Sequence, residues 1–188
     1  LSPSRSDDEP PVISPLDADD GARFRRGRLI HRLFQNLPDL PAEAWDAAAA
    51  VFLATSAPEL TEQGRAEIAD EVLRILRDPE FSALFGPGSR AEVPVVGGVG
   101  AGGEILISGQ VDRLLITTES VTIIDYKTNR PPPTAESEVA AVYLRQMATY
   151  RAAIGAIYPD RPVRAVLLWT DGPRAMQLSD AVLDPHAP

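Results

Sequence analysis

The chain has 188 residues, is 44% hydrophobic and carries a formal net charge of −9 at pH 7, which suits one soluble core with tails. No run approaches the roughly 20 apolar residues of a membrane helix, and no basic-then-apolar leader opens the chain, so a cytoplasmic location is expected. Zero cysteines exclude disulfides, cysteine-held zinc and iron–sulfur clusters, leaving oxygen and imidazole as metal ligands, and the acidic balance opposes any intrinsic grip on nucleic acid.

From Leu1 to about Asp20 the composition is Pro, Ser and Asp with little apolar content, which predicts a linker over residues 1–21. A start at Leu1 in place of methionine fits an excised fragment and equally a processed chain. From Ala22, Leu29, Ile30, Leu33, Phe34 and Leu37 recur at helical spacing until Pro38 and Pro41 stop the run. Further helices are expected from Ala42 to about Ala54 and from Thr61 to about Arg77. Strand character begins at Glu92–Val96. The glycines from Gly97 to Gly103 lack the Gly-Lys-Ser/Thr ending of a phosphate loop and read as a flexible hairpin connection. Strands over Glu104–Ser108, Gln110–Thr117 and, past a Glu119-Ser120 turn, Val121–Thr128 complete an antiparallel meander. Pro131 to Pro133 end it. Val139, Val142, Tyr143, Met147, Tyr150, Ile154 and Ile157 mark a long amphipathic helix, and Val163–Trp169 is one more buried strand. The fold class expected is α/β, a mixed sheet flanked by helices, with the domain over residues 22–185 and a tail over 186–188.

Chemistry concentrates in Ile123-Ile124-Asp125-Tyr126-Lys127. On a strand, residues two apart share a face, so the carboxylate and the ammonium emerge together. An Asp-x-Lys triplet alone arises by chance roughly 0.7 times in such a chain, and a plain salt bridge is its bland reading. Asp112, in Gly109-Gln110-Val111-Asp112 on the strand expected to pair with it, changes the balance, because hairpin pairing brings the two strands within about 5 Å. Two carboxylates that close repel unless a cation lies between them, and a hard divalent ion such as Mg²⁺ accepts such oxygens. Beside it, Lys127 can offset the charge that builds on a scissile phosphate. The combination suits phosphodiester hydrolysis.

Arg26-Gly27-Arg28-Leu29-Ile30-His31, Glu92-Val93-Pro94, Gly109-Gln110-Val111-Asp112, Ile124-Asp125-Tyr126-Lys127-Thr128 and Gln146-Met147-Ala148-Thr149-Tyr150 resemble, in order, the motifs of RecB-like PD-(D/E)XK nucleases. More narrowly they are similar to the C-terminal nuclease domain of the AddA subunit in bacterial AddAB-type helicase-nucleases. The resemblance implies a restriction-endonuclease-like core and a Mg²⁺-dependent (or Mn²⁺-dependent) deoxyribonuclease active in double-strand-break repair. It implies His31, Asp112, Asp125 and the backbone carbonyl of Tyr126 as metal ligands, Lys127 as the catalytic lysine and Glu92 as an acidic group near the site. Gln146 and Tyr150 would be the signature pair on the following helix. His31, next to Ile30, also reads as an ordinary core histidine, and Tyr150 also reads as core. Arg145 and Arg151, which flank the pair, are candidate phosphate contacts. The partners implied are DNA, as single strands delivered by a helicase, and an AddB-like subunit. ATP enters only through a helicase portion outside this chain. A catalytically inactive DNA-binding or subunit-bridging module is the alternative, and the intact Asp112, Asp125 and Lys127 argue against it.

Overall fold

The computed structural model describes residues 20–100 and 105–188; the linker expected over residues 1–21 falls almost wholly outside them. Two compact units account for the described residues, a helical one up to Pro87 and a sheet-based one from Gly88 onward. No helix among them is long and apolar enough to cross a membrane.

In the helical unit, α1 spans Asp20–Asn36, α2 Trp45–Ser56, α3 Glu62–Arg77 and the short α4 Pro79–Ser82. Leu29, Ile30, Leu33, Phe34 and Leu37 are all buried, as their spacing required. The stop before Pro38 follows from proline's fixed φ and missing N–H. α2 begins at Trp45, three residues later than expected, because Ala42–Ala44 form a 3-10 turn. Thr61 caps α3 through its side-chain oxygen, which accepts from the Gly64 N–H at 3.1 Å.

The sheet-based unit carries β1 (Ser89–Val99), β2 (Ile105–Ile116), β3 (Val121–Lys127), α5 (Ala141–Ile157), β4 (Val163–Trp169), β5 (Arg174–Leu178) and the short α6 (Asp180–Leu183). The strands lie in the order β1-β2-β3-β4-β5, antiparallel except for the parallel β3–β4 pair. The mixed α/β sheet read from the sequence is therefore the observed one. The two short strands expected around Gly109 are a single β2, since Gly109 pairs with Val95 and keeps the ladder running. Gly97 and Gly98 likewise belong to β1, opposite Ile107 and Leu106, and Val99 ends it; of that connection residues 101–103 lie outside the described residues. β5 was not anticipated. At Gly88, φ is 87 and an added Cβ would meet the Ile116 carbonyl oxygen at 2.5 Å, so only glycine fits where β1 begins against the end of β2.

α5 starts at Ala141 and not at Val139, which ends a 3-10 turn. Its stripe Tyr143, Met147, Tyr150 and Ile154 is buried in one core with Leu114, Ile123 and Leu167 of the sheet. Tyr150 is fully enclosed, and its hydroxyl donates to the Gln110 carbonyl at 2.8 Å and accepts from the Gln110 N–H at 3.2 Å. The helix is thus pinned to β2 where that strand turns toward Asp112. Tyr150→Ala is expected to cost about 3–5 kcal/mol through the cavity it leaves, and Tyr150→Phe about 1 kcal/mol through the lost hydrogen bonds alone. Chemical denaturation of both variants measures the difference.

Candidate active site

The antiparallel register of β2 and β3 ends with Arg113 opposite Ile124. One residue further along each strand stand Asp112 and Asp125. In β1, Ala91 lies opposite Arg113 and Val93 opposite Val111, which sets Glu92 across from Asp112. Three acidic residues thus occupy neighbouring positions in one row across β1, β2 and β3, and carboxylate oxygens of Glu92 and Asp112 lie within 4.8 Å of each other. At Asp112 the backbone ladder gives way to a side chain: the Tyr126 N–H donates to Asp112 Oδ2 at 2.8 Å. This oxygen-rich donor set suits a hard divalent cation, which would relieve the mutual repulsion.

Asp125 and Lys127 share a strand face two residues apart, and both are buried, although every other residue of β3 is also buried. Lys127 Nζ lies 2.6 Å from Asp125 Oδ2, donates to Gln146 Oε1 at 3.1 Å and sits 3.9 Å from the centre of the Tyr143 ring. Burial by itself would lower the Lys127 pKa. The adjacent Asp125 carboxylate, with smaller help from Tyr143 and Asp112, outweighs it and holds the group above the ordinary lysine value. The ammonium is therefore charged at neutral pH, and its contribution to stability is lost only as pH rises through that raised value.

Most of the residues read from the sequence come together here. Asp112, Asp125, Lys127, Glu92 and Gln146 lie in one neighbourhood of the sheet-based unit. Gln146 holds Lys127 in this structure. Tyr150 does not face substrate: with no exposed surface, it cannot stack on a splayed base, because its ring is needed in the core. Arg151, read as a possible phosphate contact, is engaged by Asp180 and Asp184. His31, the imidazole that the resemblance adds to the ligands, is half-buried on α1 in the helical unit, between the buried Ile30 and the exposed Arg32. Tyr126 places its ring among buried residues, where its hydroxyl accepts from Arg113 Nε at 2.8 Å; burial raises its pKa, against the opposing pull of Arg113.

Three neighbours escaped the sequence reading. Arg113, almost fully buried beside Asp112, also donates to Ser89 Oγ at 2.8 Å; an arginine inside an apolar strand was the available signal. Tyr143 reads as one more residue of an amphipathic stripe, and only the fold sets its ring against Lys127. Trp169, opposite Lys127 in the parallel β3–β4 register, meets Tyr143 edge-on at 6.2 Å and had no local signal at all.

Glu92 adopts φ 53, the one described non-glycine residue with positive φ. Such backbone strain costs roughly 1–3 kcal/mol and persists where surroundings enforce it, often at functional sites. The Glu92 carbonyl accepts from Gln110 Nε2 at 3.1 Å, which ties the strained residue to β2.

The sequence profile of the PD-(D/E)XK nuclease superfamily matches residues 11–183, and the chain belongs to that superfamily. Asp125-Tyr126-Lys127 has the (D/E)XK form, and Val111 stands where the family name writes proline before the first aspartate. Among solved structures, a protein from Eubacterium rectale titled "Putative exonuclease" aligns with a TM-score of 0.54 at 12% identity, over 91% of this chain and 64% of that one. This chain therefore spans less than two thirds of that protein, and the likeness is one of fold. The structure titled SSO0001 aligns over 89% of this chain and 83% of its own at 14% identity, with a TM-score of only 0.36. No curated protein sequence matches.

At most positions alanine is more stable than glycine, and position 92 should reverse that order. In the left-handed region alanine pays roughly 1–2 kcal/mol that glycine does not, so Glu92→Gly is expected to melt above Glu92→Ala. Equal melting temperatures would show that the strain relaxes once the carboxylate is gone.

Proposed function

We propose that this chain is a metal-dependent deoxyribonuclease domain that hydrolyses phosphodiester bonds. One observation carries the reading: a charged lysine is buried at the end of a central strand, against a row of three carboxylates from adjacent strands. A structural ion pair needs one acid for one base, and the surplus of acid in a part-buried row is costly without a cation.

Glu92, Asp112 and Asp125, with the Tyr126 carbonyl, are the proposed ligands of Mg²⁺ or Mn²⁺, which supplies Lewis acidity and lowers the pKa of an attacking water. The remaining work falls to the protein's own groups. Lys127 meets the negative charge that builds on the scissile phosphate and stays protonated at neutral pH. Gln146 Oε1 accepts a hydrogen bond from it and the Tyr143 ring takes its other side, so the ammonium keeps its place when substrate enters. The Tyr126 N–H fixes Asp112 by holding one of its oxygens. Preorganised charge of this kind costs no rearrangement during the reaction.

The motif order supports the narrower reading of a nuclease module in an AddAB-type helicase-nuclease of double-strand-break repair. There an ATP-driven motor outside this chain delivers single strands, with an AddB-like partner subunit, in the bacterial cytoplasm. The net charge of −9 fits a domain whose substrate is delivered to it, because tethering replaces intrinsic affinity with local concentration.

Labelled single-stranded DNA incubated with the chain should be cut in Mg²⁺ or Mn²⁺ and left whole in chelator. Asp112→Asn and Lys127→Ala should each lower the rate at least about 100-fold, as removal of a transition-state donor does. Binding without cleavage in the wild type would refute the nuclease reading. Tyr143 separates a positioning role from plain packing: Tyr143→Leu should lower kcat about tenfold, in line with a cation–π contact worth about 1–2 kcal/mol. Tyr143→Phe should restore it with KM unchanged. Equal rates in the two variants would remove the ring's role.

A further inference from the structure

We infer that the exposed arginine row of α1, Arg25, Arg28 and Arg32, is a track for the sugar-phosphate backbone of a single DNA strand. The ligand class rests on the nuclease reading; the surface itself stands on its own observations. α1 packs five of the chain's 18 basic residues into 17 positions, against one acid, Asp20, in a protein of net charge −9. Arginine is a good helix former, but so are uncharged residues, and charge terms within the helix do not account for this. Arginine is favoured by the helix dipole in the last turn, where α1 has none. Arg28 and Arg32, four apart, repel each other at a position where an acid would stabilise.

The fold neutralises part of this charge and leaves the rest. Arg26 turns inward to the buried Glu71, and Arg25 pairs with Glu59 at 2.9 Å while remaining about half exposed. Arg28 and Arg32 are exposed, and among the described residues the Arg32 guanidinium reaches the Gln35 side chain, at 3.4 Å. Residues 25, 28 and 32 follow the three-and-four spacing of one helix face, with Arg28 and Arg32 about 6 Å apart along the axis. A row of long, forked cations with no acid among the α1 residues between them matches a polyanion with regularly spaced charges, because each guanidinium can take a separate phosphate oxygen pair. A single strand is the occupant whose charge repeats along its length as the row's does, one phosphate for each guanidinium.

The test is fluorescence anisotropy of a 5′-labelled oligothymidylate with the full chain, in chelator so that no cleavage intervenes, across a sodium chloride series. Each phosphate contact on a single strand contributes a slope of about 0.7 in log K against log salt. Arg28→Ser/Arg32→Ser should therefore flatten the slope by about 1.4 and weaken binding at low salt at least tenfold, while Arg28→Lys/Arg32→Lys keeps the wild-type slope. A serine variant with unchanged slope and affinity overturns the proposal, as does a lysine variant that behaves like the serine one. Hydrolysis of bis(p-nitrophenyl) phosphate, which has no backbone to follow, should be equal in all three proteins. If the wild type fails to hydrolyse it or DNA, the nuclease reading falls, and the anisotropy series still decides the track.

Discussion

Asp125 and Lys127 meet at 2.6 Å with less than a tenth of either side chain exposed, and the sheet-based unit is organised around making that burial tolerable. An isolated charge in such a place costs several kcal/mol, and even a good ion pair only recovers it when the remaining hydrogen-bonding capacity is met. β3 is flanked on both sides by strands, which brings the pair in from solvent and supplies its partners. β4 follows Lys127 closely enough for the Thr170 N–H to bond the Lys127 carbonyl at 3.0 Å. α5, reached from β3 by the crossover that a parallel β3–β4 pair requires, brings Gln146 and Tyr143 to the ammonium. The same helix is then locked to β2 by Tyr150.

The acids carry the opposite logic. Glu92 lies in strained backbone, Asp112 takes a bond that a regular ladder would have given to a carbonyl, and Asp125 is inside. Each departs from what stability alone selects, and the three depart in one row across adjacent strands. Local conflicts of that kind are expected where a site, and not the fold, dictates the residue.

Charge is distributed as unevenly as strain. The helical unit holds more acids than bases, yet five of its arginines are gathered on α1. A protein with this distribution can hold an overall negative charge and still present a local cationic surface, since exposed charges farther apart than about 8–10 Å are largely screened at physiological ionic strength. Net charge from composition therefore bears on association rate and solubility more than on what a particular face can bind.

The sequence alone determined the helix faces and most strands, because periodicities of 3.6 and 2 are written in local residue order: Leu29 to Leu37 and Ile123 to Lys127 needed no third dimension. It also singled out Asp112, Asp125 and Lys127, since their spacing across one turn brings them together by hairpin geometry, and motif order added Glu92 and Gln146. Only the tertiary structure decided that Tyr150 is core, that Gln146 is spent on Lys127, that Arg151 belongs to Asp180 and Asp184, and that Tyr143 and Trp169 stand by the lysine. Those contacts join residues far apart in the chain, through a helix rotation and a parallel register that no local pattern encodes. The strain at Glu92 was likewise invisible, because backbone conformation at one residue is imposed by the strands on which it is held.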